Sequence, residues 1–516
     1  MNTQVGTVTL VGAGPGDPGL LTQAGAEAIA RAEVVVYDHL VQLRLLDLAP
    51  AHADRVFAGK QRGRCPVPQD EINAMLVRFA REGKAVVRLK GGDPYVFGRG
   101  AEEAEHLIAH GVPFRVIPGV TAGVGATSYA GIPVTHRDDT SAVAFVTGHN
   151  EPGDPGDRID WPALARFPGT IVFYMGLRHH AAICATLIRL GVDSSTPAAI
   201  VCNGATAAQR TVAGTLATLA GVVSAAGPGI ASPALLVVGR VVARREPLAW
   251  FERLPLFGRT IVVTRPIGES DPSAADLEAL GAEVVIAPTV RILPIDDPGP
   301  MDDAIDRLPA FDWLVFTSGN GVRHFLDRLE ARGRDLRALG HLKLAAIGPA
   351  TAEALARYRL RADLVPESFR SEGLAEALAP LVSGKRVLLA RADRGRMVLQ
   401  EQLSPIAHVE QIPVYRNADA DALTPDVLDR LERGPVDWIT LTSSAITARL
   451  HALLSDSARK RIETGAIRLA SISPVTSEAA RRLGWSIDAE ATEHTWPGLL
   501  RALVSAETSR KSPNSD

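Results

Sequence analysis

Along the chain, short runs of β-branched and apolar residues alternate with longer Ala- and Leu-rich stretches. TVTLVG, EVVVYD, AVVRLK, FRVIPG, SAVAFVTG, GTIVFYMG and PALLVVGRVV occupy the first half; TIVVTRP, WLVFTS, KLAAIGP, RVLLARA and DWITLTS occupy the second. This is the βαβ rhythm of parallel or mixed sheets covered by helices, so both halves are expected to be α/β. The rhythm breaks at RREPLAWFERLPLFG, which has two prolines and little periodicity before a new strand at Thr260. The pattern therefore predicts a first domain over 1–245, a linker over 246–257 and a second domain over 258–505. The polar end, 506–516, is expected to be disordered, because ETSRKSPNSD offers too little apolar surface to offset ordering entropy. Within the second half, FDWLVFTSGNG recurs as VDWITLTSSAI and LAAIGPATAEAL as LASISPVTSEAA, which implies two similar lobes.

At 516 residues the chain exceeds one hydrophobic core, in keeping with two folding units. Apolar residues make up 46% and charged residues 22%, an ordinary globular balance. The longest apolar runs, such as ALLVVG at Ala234–Gly239, fall well short of the roughly 20 residues that span a bilayer. The opening MNTQVGTVTLVGAG has neither the basic start nor the apolar stretch of a signal peptide, so a cytoplasmic protein without a membrane partner is expected. Cys65, Cys184 and Cys202 are far apart, and neither a disulfide framework nor a metal site is expected. A net charge of −3 argues against a nucleic-acid partner. The cations are 48 Arg and 7 Lys. Arginine is the better fork for carboxylates, which suits a many-carboxylate substrate, although a codon bias toward Arg, Ala and Gly produces the same count.

Gly12, Gly14 and Gly16 alternate directly after the strand TVTLV, with Pro15 stiffening the turn. Glycines there let backbone amides approach a ligand closely. A dinucleotide site is the competing reading, since Asp38 ends the next strand as the acidic residue of that fingerprint would. The spacing opposes it: the expected glycine at 17 is Asp17, and Pro18 follows where a helix should already run.

The longer motifs carry a resemblance. LVGAGPGDPGLLT, VVYDHLV, VVRLKGGDPYVFGRG, PGVTAG with SYAGIPVTHR, and TGH, over residues 5–245, resemble the uroporphyrinogen-III C-methyltransferases. The resemblance implies a two-lobed tetrapyrrole methylase fold with S-adenosyl-L-methionine folded in a glycine-walled cleft, leaving as S-adenosyl-L-homocysteine. By motif it assigns cofactor contact to Pro15, Gly91, Gly92, Asp93, Val96, Thr121, Ala122, Met175 and Gly204. Asp38 matches the family's proton acceptor and Lys60 of FAGK its proton donor. Arg137 of VTHRDD is a candidate for the substrate's carboxylates, and His136 and His149 are further polar groups in glycine-flanked loops. A homodimer through this half is expected. Because Gly12 begins the loop so early, no dehydrogenase–chelatase module and no iron insertion are expected.

After Gly258 there is no phosphate loop, carboxylate pair or metal-ligand cluster. TIVVTRP, DWLVFTSGNGV, AIGPATAEAL, VLLARADRGRMVLQEQL and IPVYRNA, in this order, resemble uroporphyrinogen-III synthase over 258–505. That family implies two lobes, drawn here as 258–290 plus 415–505 and 291–414, closing hydroxymethylbilane without a cofactor. Tyr415 matches its candidate for assisting hydroxyl departure, and Thr351 and Thr476 its loop threonines for substrate carboxylates. Each threonine is equally placed to cap a helix, and SISPVTS has Ser473 where the first copy has Gly348. The resulting expectation is a bifunctional enzyme with tetrapyrrole substrates. The alternative is a methyltransferase carrying a catalytically silent ligand-binding module.

Overall fold

The computed structural model describes residues 5–59, 67–266, 273–395 and 397–511; Lys60 and Cys65 lie outside them. Packing divides the chain into two compact units, residues 1–261 with 274–284 and 504–516, and residues 262–273 with 285–503.

The first unit opens with β1 (Val8–Gly12), β2 (Val34–Tyr37), β3 (Asp54–Phe57), β4 (Val86–Lys90) and β5 (Phe114–Ile117). They form one sheet in the order β3-β2-β4-β1-β5 with every pair parallel. Parallel strands need crossover helices, which cover both faces and make the strands apolar on both sides. Val8, Leu10, Val34, Val36 and Val86 pack with residues of helices Gln69–Arg81 and Gly100–Ala109, whereas Val11, Val35, Val87 and Leu89 pack with Ile29 on the opposite face. Strand alternation places Arg88 and Lys90 on the side of Val86, where both are buried.

A second sheet follows, from β6 (Val143–Thr147), β7 (Thr170–Tyr174), β8 (Pro197–Cys202), β9 (Arg210–Thr215) and β10 (Ala234–Val238), in the order β6-β7-β10-β8-β9. Here β6 and β7 are parallel, and the β7–β10, β10–β8 and β8–β9 pairs are antiparallel. Residues 246–257, expected as a linker, are instead packed: Ala249, Phe251 and Leu256 are buried and the Tyr129 ring lies 5.0 Å from Trp250 and 4.8 Å from Phe251. Burial through irregular aromatic contacts leaves no periodic trace, which is why the sequence pattern reads as a break.

The second half builds two more five-stranded sheets. After β11 (Thr260–Val263) and β12 (Glu283–Ile286) come β13 (Val290–Leu293), β14 (Trp313–Phe316), β15 (Lys343–Ala346), β16 (Arg386–Ala392) and β17 (His408–Asp419), then β18 (Trp438–Leu441), β19 (Arg468–Ser471) and β20 (Ala489–Glu490). Their orders are β12-β11-β18-β19-β20 and β13-β17-β16-β14-β15, so one sheet is drawn from the two ends of this half and the other from its middle. The cores follow the same division, one around Phe316, Phe325 and Leu388 and one around Val262, Ile439 and Trp485. The final helix, Trp496–Lys511, runs into the segment expected to be disordered. Leu499, Leu503 and Glu507 repeat every four residues and are fully buried; the Glu507 carboxylate lies 2.6 Å from Arg259 Nε. That face-specific repeat outweighs the polar composition of the segment. No helix among the described residues is long and apolar enough to cross a membrane.

Candidate functional site

The first site is assembled where strand ends converge too closely for side chains. Gly92 N–H donates to Gly14 O at 2.8 Å and Gly14 N–H to Gly92 O at 3.2 Å, while Ala13 N–H donates to Lys90 O at 2.8 Å. A Cβ on Gly119 would stand 2.2 Å from Gly92 O, and one on Gly12 2.5 Å from Gly119 Cα. Asp93 ties this junction together, Oδ1 accepting from Tyr95 N–H at 2.8 Å and Oδ2 from Gly119 N–H at 3.0 Å. Its carboxylate is therefore a loop clamp first, with lone pairs left over for a ligand.

The opposing wall comes from helix Ala122–Tyr129 and the loops after β7 and β8. A Cβ on Gly16 would lie 2.7 Å from Gly204 O, on Gly204 2.2 Å from Ala126 Cβ, and on Gly125 2.6 Å from Pro15 Cγ. Tyr174 Oη lies 2.6 Å from Thr121 Oγ1 and accepts Gly123 N–H at 2.6 Å. Burial pushes its phenol up, and those two bonds oppose the rise. Val96 and Ala122 pack in the cluster that contains Tyr174, and Met175 follows it in the chain. Pro15, Gly91, Gly92, Asp93, Val96, Thr121, Ala122, Met175 and Gly204 are thus brought together. Of six described non-glycine residues with positive φ, five lie on these loops: Phe97, Arg99, Met175, Asn203 and Ala205. Strain of this kind collects at ligand sites, held by its surroundings. For Ala205 the support is a relay: its N–H donates to Gln209 Oε1 at 2.9 Å, and Gln209 Nε2 donates to Glu252 Oε1 at 2.9 Å. The segment expected as a linker therefore braces the Gly204 loop.

Asp38 stands at the end of β2 with a side chain 20% exposed. Its Oδ1 accepts Leu40 N–H at 3.0 Å and its Oδ2 accepts from Arg88 Nη2 at 3.4 Å. Behind it lies a charge network that sequence reasoning missed. Fully buried Glu103 receives Lys90 Nζ at 2.8 Å, Arg88 Nε at 3.2 Å and Gln69 Nε2 at 3.2 Å, all on Oε1. Burial lowers the Lys90 ammonium, and the adjacent Arg88 guanidinium lowers it further, against the raising pull of Glu103. Two cations at alternate positions of a doubly covered strand were the available signal. Arg137 is exposed and is not joined to this network. Lys60 lies outside the described residues.

In the second half, Tyr415 is buried on β17 with its Oη 3.0 Å from Ser318 Oγ, and the His324 ring stacks on it at 5.6 Å between centroids. Burial raises the Tyr415 phenol; Ser318 and the Arg391 guanidinium act the other way. Thr351 and Thr476 are buried at the third residue of their helices, Pro349–Arg357 and Pro474–Arg482. Thr476 Oγ1 lies 3.1 Å from Ser473 Oγ, so it first completes its own helix start. Ser318, the other residue missed from the sequence, caps helix Gly319–Ala331 through Gly321 N–H and meets Tyr415 as well.

Over 479 residues the chain is 38% identical to the porphyrin biosynthesis protein HemD of Ruminiclostridium josui, covering 92% of this chain and 94% of that protein. The chain belongs to this family. Within this HemD-family chain, residues 7–220 match the tetrapyrrole (corrin/porphyrin) methylases and residues 271–501 the uroporphyrinogen-III synthases. The siroheme synthase of Stutzerimonas stutzeri is 51% identical over 255 residues, 49% of this chain and 54% of that protein, so the chain spans about half its length. Among solved structures, the uroporphyrin-III C-methyl transferase of Thermus thermophilus complexed with S-adenyl homocysteine is 42% identical over 46% of this chain and 99% of its own, with a TM-score of 0.39. The uroporphyrinogen III synthase of Thermus thermophilus is 21% identical over 49% of this chain and 99% of its own, with a TM-score of 0.28. By the two family matches, this HemD-family chain is a methylase half joined to a synthase half. The cradle from which Cβ atoms are excluded, with the Thr121 hydroxyl beside it, fits a nucleoside-type cofactor held through backbone groups.

Proposed function

We propose that the synthase half closes hydroxymethylbilane to uroporphyrinogen III with inversion of ring D, and that the methylase half methylates this product at positions 2 and 7 to precorrin-2. The observation that carries the methylase reading is the adjacency of the glycine cradle and Asp38. A Cβ on Gly91 would lie 2.6 Å from Leu40 Cβ, and Leu40 N–H donates to Asp38. Bound S-adenosyl-L-methionine supplies a methyl group on a sulfonium centre. Asp38 accepts the proton released from the macrocycle carbon, and Arg88, which donates to Oδ2 at 3.4 Å, orients its carboxylate. The strained loops hold the cofactor in line with that carbon, where alignment is the larger part of catalysis. Lys60 returns a proton and Arg137 meets a peripheral carboxylate on this reading.

In the synthase half, the Tyr415 phenol, which burial raises further above its ordinary range, donates to the departing hydroxyl. The Ser318 hydroxyl lies 3.0 Å from that Oη, and with Ser318 as donor the phenol O–H is left for the substrate. The helix starts at Thr351 and Thr476 present amides to the substrate's carboxylates. On this reading the protein is a cytoplasmic homodimer.

Purified full-length chain supplied with hydroxymethylbilane alone is expected to yield the type III isomer. Adding S-adenosyl-L-methionine is then expected to yield the dimethylated product. Only the type I isomer, which forms spontaneously, would refute the synthase reading and leave the second half a silent module. The Asp38→Asn variant is expected to bind S-adenosyl-L-homocysteine normally while methyl transfer falls by about 100-fold; unchanged turnover removes Asp38 from the mechanism.

A further inference from the structure

The boundary drawn by packing differs from the boundary drawn by family match. Residues 271–501 match the synthases, yet 274–284 fold into the first unit together with 1–261. Helix Ser273–Ala279 and the turn after it are fixed there by burial and by backbone. Ala274 and Leu277 are fully buried, Leu280 O accepts Leu256 N–H at 2.9 Å, and a Cβ on Gly281 would lie 3.0 Å from Phe257 Cα. Leu256 and Phe257 close the same segment in which Glu252, through Gln209, braces the Gly204 loop.

One acidic residue of this helix reaches the loops of the methylase site. Glu278 forms an ion pair with Arg44, and the two side chains are 27 and 34% exposed. Arg44 stands in the turn Leu43–Leu48, which continues the Asp38 loop: Asp38 O accepts Val41 N–H at 3.3 Å, and Val41, Leu45 and Leu46 are buried in one cluster with Ile29. Burial raises the Glu278 carboxyl, Arg44 lowers it, and the charge of Asp17 raises it again. Asp17 belongs to the glycine loop, where Oδ1 accepts Gly19 N–H and Oδ2 the Tyr129 hydroxyl, both at 2.7 Å. Glu278 therefore lies within electrostatic reach of both loops, attracted to one and repelled by the other. A pair so far removed from water adds little to stability that apolar groups of the same size would not, whereas opposite charges fix direction.

We propose that the Arg44–Glu278 pair is a strut that holds the Asp38 loop, which makes Glu278, a residue of the synthase match, a positioning residue for methyl transfer. This rests on the methylase reading above. Asp38 must meet the macrocycle carbon while the glycine loops hold the cofactor. The strut ties the turn that continues the Asp38 loop to a helix seated on 254–257, the segment that also braces the cofactor wall. The pair joins a residue of the methylase match to one of the synthase match, so only a chain that carries both can make it.

The test uses the full chain with Glu278→Gln, Arg44→Gln, both together, and Glu278→Asp. Steady-state methyl transfer to uroporphyrinogen III is read beside calorimetric binding of S-adenosyl-L-homocysteine and type III isomer formation from hydroxymethylbilane. Glu278→Gln is expected to lower kcat for methyl transfer about 10-fold, with KM and S-adenosyl-L-homocysteine affinity within about twofold of wild type. Arg44→Gln is expected to fall at least as far, because Glu278 is left facing Asp17. The double variant should fall no further than Arg44→Gln, since partners in one contact do not add, and Glu278→Asp, which keeps the charge, should be intermediate. Hydrogen exchange over 39–48 should quicken by about threefold or more in Glu278→Gln while 8–12 is unchanged. Type III isomer formation should stay at the wild-type rate. Glu27→Gln, at an exposed pair with Arg31, is the control and should leave every readout unmoved. Wild-type kcat in Glu278→Gln overturns the strut alone, as do losses that multiply in the double variant. A kcat loss matched by equal loss of S-adenosyl-L-homocysteine binding assigns the pair to the cofactor wall and overturns the strut. Isomer formation that falls together with methyl transfer assigns the pair to the fold at large and overturns it too. A wild type that binds S-adenosyl-L-homocysteine yet methylates no uroporphyrinogen III overturns the methylase reading and the positioning role with it.

Discussion

Replacing Glu103 with Gln removes one negative charge from the buried network behind Asp38 while nearly preserving shape. Glu103 Oε1 receives three donors, two of them the cations Arg88 and Lys90, whose side chains are each only 4% exposed. In the variant both cations remain buried, and the carboxylate left to them is Asp38, 3.4 Å from Arg88. Breaking a buried ion pair by deleting one partner costs about 3–5 kcal/mol. The three bonds share one acceptor, so their losses do not add and about 3 kcal/mol is the expected total. Because the chain has two compact units, global unfolding is not one transition, and the local measurement is hydrogen exchange on peptides from 86–90 and 100–109. A loss of about 3 kcal/mol appears there as exchange faster by on the order of a hundredfold. The pH dependence has a definite sign. With its ammonium lowered in the fold, Lys90 keeps its proton to higher pH in the unfolded chain than in the native one. Between those two values the unfolded state binds more protons, so stability rises with pH. Removing Glu103 takes away a raising influence and moves the window down, so the defect should shrink as pH rises toward the ordinary lysine range, after correction for intrinsic exchange. Glu102→Gln, at an exposed pair with Arg99, is the control and should change exchange by no more than about twofold. Protection in Glu103→Gln within about threefold of wild type, or a defect that deepens as pH rises, refutes the reasoning.

Gly119→Ala drives a Cβ to 2.2 Å from Gly92 O and is expected to weaken S-adenosyl-L-homocysteine binding at least about tenfold and destabilise by about 1–3 kcal/mol. Gly221→Ala, in open space on helix Leu219–Ala226, should stabilise slightly; equal thermal shifts in the two variants would contradict the crowding argument. Tyr415→Phe removes the hydroxyl 3.0 Å from Ser318 and is expected to slow formation of the type III isomer at least about tenfold with near-ultraviolet circular dichroism unchanged. Burial raises the Cys184 thiol to about 11 and lifts Cys202 as well, so in a Cys65→Ser background native protein at pH 8 should resist a thiol reagent that labels both once unfolded. The raised Cys184 value also means that its contribution to stability is lost as pH climbs from the ordinary thiol range toward 11.

The parallel sheet and glycine loops could be read from sequence because each depends on local order. Strands such as VVRLK are short apolar runs, and Gly12, Gly14 and Gly16 stand in register with the strand before them. Features set by distant partners could not be read in that way. Glu103 and Arg88 are 15 residues apart and meet only through the packing of helix on strand. Glu252 supports Ala205 only through Gln209, so PLAWFERLPLF passed for a linker although Phe251 and Leu256 are buried. Glu507 lies in a segment of polar composition, yet its position four residues after Leu503 puts it on the buried face.

The repeat in the second half shows how one departure from a motif is resolved by backbone angles. Ser318, Gly348, Ser443 and Ser473 begin corresponding helices, with φ of −164°, −173°, −164° and −164°. These are extended values open to any residue, so Gly348 is not demanded by its conformation and Ser473 does not distort its corner. What the serine changes is side-chain chemistry. Ser473 Oγ accepts Thr476 N–H at 3.3 Å and lies 3.1 Å from Thr476 Oγ1, engaging both groups of the threonine. The glycine corner holds neither group of Thr351 in that way. If the two corners act alike on a substrate, the shared donors are the remaining backbone amides of the helix starts. If the hydroxyls matter, Thr351→Val must cost more than Thr476→Val, and equal losses of activity would return the role to the backbone.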